Sequence, residues 1–170
     1  MRNTIRTVAL LAALAGAVTY GWRWLFPSDE AQIQAVLERI ADALSGDADG
    51  DVNRLARAAS LRNQFDPEVT IDPGPPFGAL RGRDTVISTA ATAHSAVRNL
   101  ELSFADVTVL VDSVRRAATA NLTAEARFNN VRGGRGADAR ALEVAFTRID
   151  GAWVVSSVTA ARPLRRFDQP

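Results

Sequence analysis

A chain of 170 residues, 47% hydrophobic and 23% charged, suits one globular domain with an appendage and is too apolar for a disordered chain. Its net charge of +1 creates no field for nucleic acid, and no basic–aromatic array reads as RNA or DNA recognition. Cysteine is absent, which excludes disulfides, thiolate catalysis and cysteine metal sites, and every basic residue except one histidine is arginine.

The first element is a membrane anchor over residues 1–27. Arg2 and Arg6 precede an apolar run from Thr7 to Phe26 that only Arg23 interrupts. About 20 residues at 1.5 Å each match a hydrocarbon core of roughly 30 Å. Tyr20, Trp22, Trp24 and Phe26 crowd the far end as an interfacial aromatic belt, where Arg23 snorkels. Arginines first and Asp29 and Glu30 last keep the N-terminus cytoplasmic, so the rest of the chain is expected outside, periplasmic or extracellular. The competing reading is a signal peptide cut at Ala13-Leu14-Ala15 or Ala15-Gly16-Ala17. Either cut leaves a short apolar core and a mature chain with an apolar-aromatic start. Gly16 and its alanine neighbours also suit close packing against another membrane helix, as in a subunit of a membrane complex.

Residues 28–164 form the domain, and 165–170 a tail. Asp29 is expected to cap a helix with Gln32 in capping-box position. Ile33, Val36, Leu37, Ile40, Ala41 and Leu44 share one face, and the helix ends near Gly46. "DADGD" (47–51) lacks the calcium-loop pattern: counted from Asp47, positions six and twelve hold Val52 and Ala58 rather than Gly and Glu. It reads as a helix end and the cap of a second helix, with Leu55, Ala58, Ala59 and Leu61 inward. "EVTID" is a short strand, "PGPPFGALRG" a loop, and residues 83–97 the third helix.

Strands follow. Leu100, Leu102 and Phe104 alternate, the phase slips at Ala105-Asp106, and Val107, Val109 and Val111 alternate anew, which predicts a bulge. In 116–128 the even positions from Ala118 to Phe128 take one face, and Thr119, Asn121, Thr123, Glu125 and Arg127 the other. A Gly-rich turn over 129–138 and a hairpin at Asp150-Gly151 complete the pattern. The small residues of 118–126 fit either a close helix or a cavity. The class is α+β, with three helices packed on a curved, mainly antiparallel sheet.

The order of elements, with "ALSGDADGD", "VTIDP", "LRGRDTVI", "FADVTVLVD" and "IDGAWVVSSV" at their spacing, resembles the nuclear transport factor 2-like superfamily over residues 29–164. That superfamily includes SnoaL-like proteins and ketosteroid isomerases. The resemblance implies a conical domain with a pocket between sheet and helices, and no single activity. By position Asp72 resembles the general-base aspartate of the isomerases, but the positions of that family's side-chain donors hold Ile40 and Ala145, which cannot donate. Read from its residues alone, Asp72 opens an Asp-Pro turn.

His94, the one histidine, shares a stripe with Ile87, Ala90 and Ala91. It reads as a hydrogen-bonded structural residue, or else as a pocket acid/base. Asp72 and His94 are therefore the weak catalytic candidates, and no cofactor or metal is expected. Arg132, Arg135, Arg162, Arg165 and Arg166 form solvated faces, or else meet anionic headgroups or an acidic partner. The expected function is a membrane-anchored, non-catalytic accessory that binds a partner protein, such as a membrane protein, or a small hydrophobic ligand outside the cytoplasm. The alternative is a SnoaL-like enzyme that uses Asp72 and His94 on a hydrophobic small molecule.

Overall fold

The computed structural model describes residues 27–46, 51–75, 78–112, 114–130 and 133–161. The anchor residues Arg6, Tyr20, Trp22, Arg23 and Trp24, residues 47–50 of the calcium-like stretch and the tail 165–170 lie outside them. Among the described residues no helix is long and apolar enough to cross a membrane.

Helix α1 spans Asp29–Leu44. Its cap is Ser28, not Asp29: the Ser28 hydroxyl accepts from Ala31 N at 3.3 Å. Gln32 reaches back to the Pro27 carbonyl at 2.9 Å rather than closing a capping box on Asp29. Serine wins because Asp29 already has helical geometry and its carboxylate is engaged elsewhere. The predicted apolar face holds, with Ile33, Val36, Leu37 and Ile40 buried. At the C-terminal end Ser45 Oγ accepts from Leu102 N at 3.0 Å, and Gly46 N donates to Leu100 O at 2.7 Å. A positive φ of 100° at Gly46 permits this stitch to the sheet.

Helix α2 (Asp51–Arg62) departs from expectation. Leu61 is buried, but Leu55 is 72% exposed and Ala59 is exposed as well. At about 100° per residue the four proposed inward residues span an arc of roughly 160°. This helix buries one edge only, so the arc is too wide and just its Ala58–Leu61 side faces inward.

Six strands form one sheet in the order β2-β1-β6-β5-β4-β3. They are β1 (Phe65–Asp72), β2 (Leu80–Arg81), β3 (Val97–Asp112), β4 (Ala117–Asn130), β5 (Arg135–Ile149) and β6 (Ala152–Ala160), with helix α3 (Arg83–Ser95) crossing from β2 to β3. Strand β1 runs parallel to β6 and antiparallel to the two-residue β2; the other neighbours are antiparallel. The predicted slip is a real bulge: the β3–β4 register shifts between Ala105 and Thr108, and Asp106 has φ 54°. Asp150 and Gly151 both take positive φ, which matches the right-handed twist of the hairpin they close.

The core gathers Ile33, Val36, Leu37 and Ile40 of α1, Leu61 of α2 and Val86 of α3 with Val69, Ala118, Ala120, Leu122, Val144, Phe146, Trp153 and Val155 of the sheet. Ala118 and Ala120 lie within this packed core, while Ala124 lies at its partly buried border. The alanine stripe therefore serves close packing over its first half.

Candidate functional site

The cavity that holds His94 lies among the three helices. Ala43 and Leu44 of α1, Arg57, Ala58 and Leu61 of α2, and Ile87, Ala90, Ala91, His94 and Ser95 of α3 line it. The alanines arise because three helix faces meet with little room between backbones. It is a cleft of about 70 Å³ that opens to solvent beside the exposed Ala91 and Ser95.

His94 is half-buried on this wall, as its helical stripe predicts. Its partner was not foreseen: His94 Nε2 lies 2.8 Å from Arg57 Nη1. A guanidinium has donors only, so Nε2 accepts and the ring proton sits on Nδ1. The lone pair a general base would use is therefore engaged by a cation. Catalytic imidazoles are normally oriented by a carboxylate instead. No spacing rule links Arg57 to His94, since a tertiary contact between α2 and α3 brings them together.

Asp72 lies elsewhere. It ends β1, is exposed, and its Oδ1 accepts from Gly74 N at 3.2 Å in an Asx turn. It does not line the helix cavity with His94. Beyond it Arg140 of β5 pins the following loop, donating from Nη1 to the carbonyls of Pro73 and Pro75, each at 3.2 Å, while its Nε meets Asp138 at 2.9 Å. Of the positions that the resemblance assigns to donors, Ile40 is buried in the core and Ala145 offers only its backbone. Among the described residues no group of three or more His, Asp or Glu side chains could hold a metal ion.

A second polar centre was missed altogether. Asp29 Oδ1 accepts from Trp153 Nε1 at 3.0 Å and from Arg148 Nη1 at 3.1 Å. Arg148 also stands over the Trp153 ring, 5.5 Å from its centroid. The acidic pair after the apolar run was the only signal in the sequence, and it was read as charge bias and capping.

Open grooves also mark the surface. One, about 720 Å³, lies at the Gly-rich end of the sheet and includes Ser45, Asn99, Glu101, Arg127, Phe128 and Arg135. Another, about 430 Å³, runs beside the start of α1 past Arg39, Gln64 and Trp153.

No family model and no curated sequence matches the chain. Solved structures do. A Kribbella flavida protein, Kfla4162, superposes with a TM-score of 0.65 at 17% identity, covering 78% of this chain and 89% of its own. The hexachlorocyclohexane dehydrochlorinase LinA type 2 gives 0.64 at 12% identity over 78% and 83%. A candidate scytalone dehydratase of Novosphingobium aromaticivorans gives 0.60 at 15% identity over 79% and 92%. At such identities the likeness concerns the fold, which is nuclear transport factor 2-like, SnoaL-like in arrangement. Enzymes and proteins of unknown function share it.

Proposed function

We propose that this chain is a membrane-anchored accessory domain, held outside the cytoplasm, that binds a partner protein without catalysing a reaction. The separation of Asp72 from His94 carries the reading. One carboxylate faces solvent in a turn, the one imidazole has its acceptor nitrogen occupied by Arg57, and the cavity that His94 lines does not include Asp72. The helix cavity has a volume of about 70 Å³. Ligand sites run to roughly 300–1,000 Å³. The His94 cavity falls below that range, and spaces that fall within it, such as those of about 720 and 430 Å³, are open grooves, which suits recognition at the surface. The arginine-first, aromatic-last apolar run supports the anchor and the outward display.

The second reading is a SnoaL-like enzyme acting on a hydrophobic small molecule. It draws on the Arg57–His94 pair in an apolar wall and on the fold's likeness to a dehydrochlorinase.

High-salt washing of membranes and protease treatment of spheroplasts test the proposal. The chain should stay with membranes, and the domain should be digested in intact spheroplasts. A fully protected domain reverses the topology. A soluble mature form starting near Gly16 or Val18 replaces the anchor with a signal peptide.

A further inference from the structure

The start of α1 is tied to two sheet hairpins. Arg148, held by Asp29, donates from Nε to Gly151 O at 3.0 Å, and its backbone N donates to Arg116 O at 3.1 Å. These bonds place the β3–β4 and β5–β6 turns at the end of the domain where α1 begins. Apolar surface stands open there: Val114 is 94% exposed at a hairpin tip, and Ile149 is 38% exposed beside the next turn. Arg115 and Arg116 follow Val114 directly. Only Pro27 and Ser28 separate α1 from the apolar run ending at Phe26, a reach of about 10 Å.

We propose that this end of the domain rests on the bilayer, with Val114 in the headgroup layer and the Arg115 and Arg116 guanidinium groups on lipid phosphates. The proposal rests on the membrane-anchored reading above and adds an orientation to it. Two linker residues cannot hold the domain far from the surface, and the Asp29 contacts prevent the hairpins from turning away independently of α1. Net charge is not the driving force. Asp112, Asp150 and Glu30 offset the arginines at this end, and Asp112 already accepts from Val114 N and Arg115 N at 3.1 Å each and lies 3.5 Å from Arg115 Nε. The specific element is the planar arginine fork, which matches a phosphate, beside an apolar tip. The linker supplies the high effective concentration that such a small contact needs.

The chain has no cysteine, so one introduced thiol labels one site. Full-length Val114→Cys and Ala137→Cys, each carrying a nitroxide, are reconstituted in vesicles of phosphatidylethanolamine and phosphatidylglycerol. Ala137 precedes Arg148 by eleven residues on β5, roughly 35 Å away. Ascorbate should reduce the label at 114 several-fold more slowly than the label at 137, and detergent should abolish the difference. Adding Arg115→Glu and Arg116→Glu should remove most of the protection. Protein lost from floated vesicles after a high-salt wash overturns the anchor, and this docking with it. Retained protein with equal reduction rates overturns the docking alone, and protection that survives both glutamates overturns the arginine–phosphate contact.

Discussion

Asp29, the first residue of α1, accepts the indole N–H of Trp153 at 3.0 Å across 124 positions of sequence. Trp153 is only 4% exposed, so its N–H has little water to turn to if the carboxylate is removed. An orphaned buried donor costs about 1–3 kcal/mol, and the Arg148 contact is lost at the same time. Asp29→Ala should lower stability by roughly that amount in a denaturant titration. Asp29→Asn keeps an acceptor oxygen and should recover much of the loss. Equal losses for the two variants contradict a hydrogen-bonding role.

Phe128 of β4 faces Gly136 of β5, and a Cβ at Gly136 would lie 2.5 Å from the ring. Gly136 has no positive φ, so packing rather than backbone strain demands glycine there. Gly136→Ala should cost up to about 1 kcal/mol, less than overpacking a closed core, because the half-buried Phe128 ring borders an open groove into which it can shift. Combined with Phe128→Ala the same substitution should become neutral or gain about 0.4–1 kcal/mol, since alanine restricts the unfolded chain. Additive losses in the double-mutant cycle refute the clash.

On α2 the two leucines should separate by consequence. Leu61→Ala removes a buried side chain and should cost about 2–5 kcal/mol. Leu55→Ala, at a position 72% exposed, should stay within about 0.5 kcal/mol. Similar losses restore the inward placement of Leu55 that periodicity suggests.

The legible parts of the fold share one property: their signal is local. Alternation along β4, the phase slip at Ala105-Asp106 and the Asp150-Gly151 turn each depend on neighbours within a few residues. The slip and the turn lie where expected, and the alternation of burial is clear from Ala118 to Leu122 and fades beyond it, where Glu125 and Phe128 are both half-buried. The α1 face was legible because four apolar residues recur at helical spacing on a helix pressed against the sheet. The α2 face was not, because periodicity gives a direction but not the width of the buried edge. The Arg57–His94 and Asp29–Trp153 contacts bridge 37 and 124 positions, and nothing local encodes them. Asp72 resembles by position a base of the resembling family and reads from its own residues as an Asp-Pro turn, and its bond from Gly74 N is that turn.

The helix cavity should accept more side chain. At about 24 cal/mol per Å³, filling 70 Å³ gains at most about 1.7 kcal/mol. Ala58 lines that cavity from α2, so Ala58→Leu should stabilise the domain by up to that amount in thermal or urea unfolding. A loss above about 1 kcal/mol indicates overpacking and a smaller usable space.

Proton transfer on hydrophobic ketones decides between the accessory and the enzyme. Such catalysis needs a base beside an acidic C–H and donors opposite the developing oxyanion. Asp72 is exposed and bonded to Gly74 N, away from the helix cavity. Losing one oxyanion donor typically costs roughly 10²–10³ in rate, and the positions that resemble both donor sites hold Ile40 and Ala145. His94 can donate through Nδ1 from the helix wall, beside Arg57 and Ser95, while Arg57 occupies its other nitrogen. Wild-type protein should therefore show no exchange above buffer, and Asp72→Asn and His94→Ala should be indistinguishable from it. Measurable wild-type turnover that both substitutions abolish, with circular dichroism unchanged, would establish the SnoaL-like enzyme instead. Turnover that survives Asp72→Asn but not His94→Ala would place the chemistry in the helix cavity and require it to open well beyond 70 Å³.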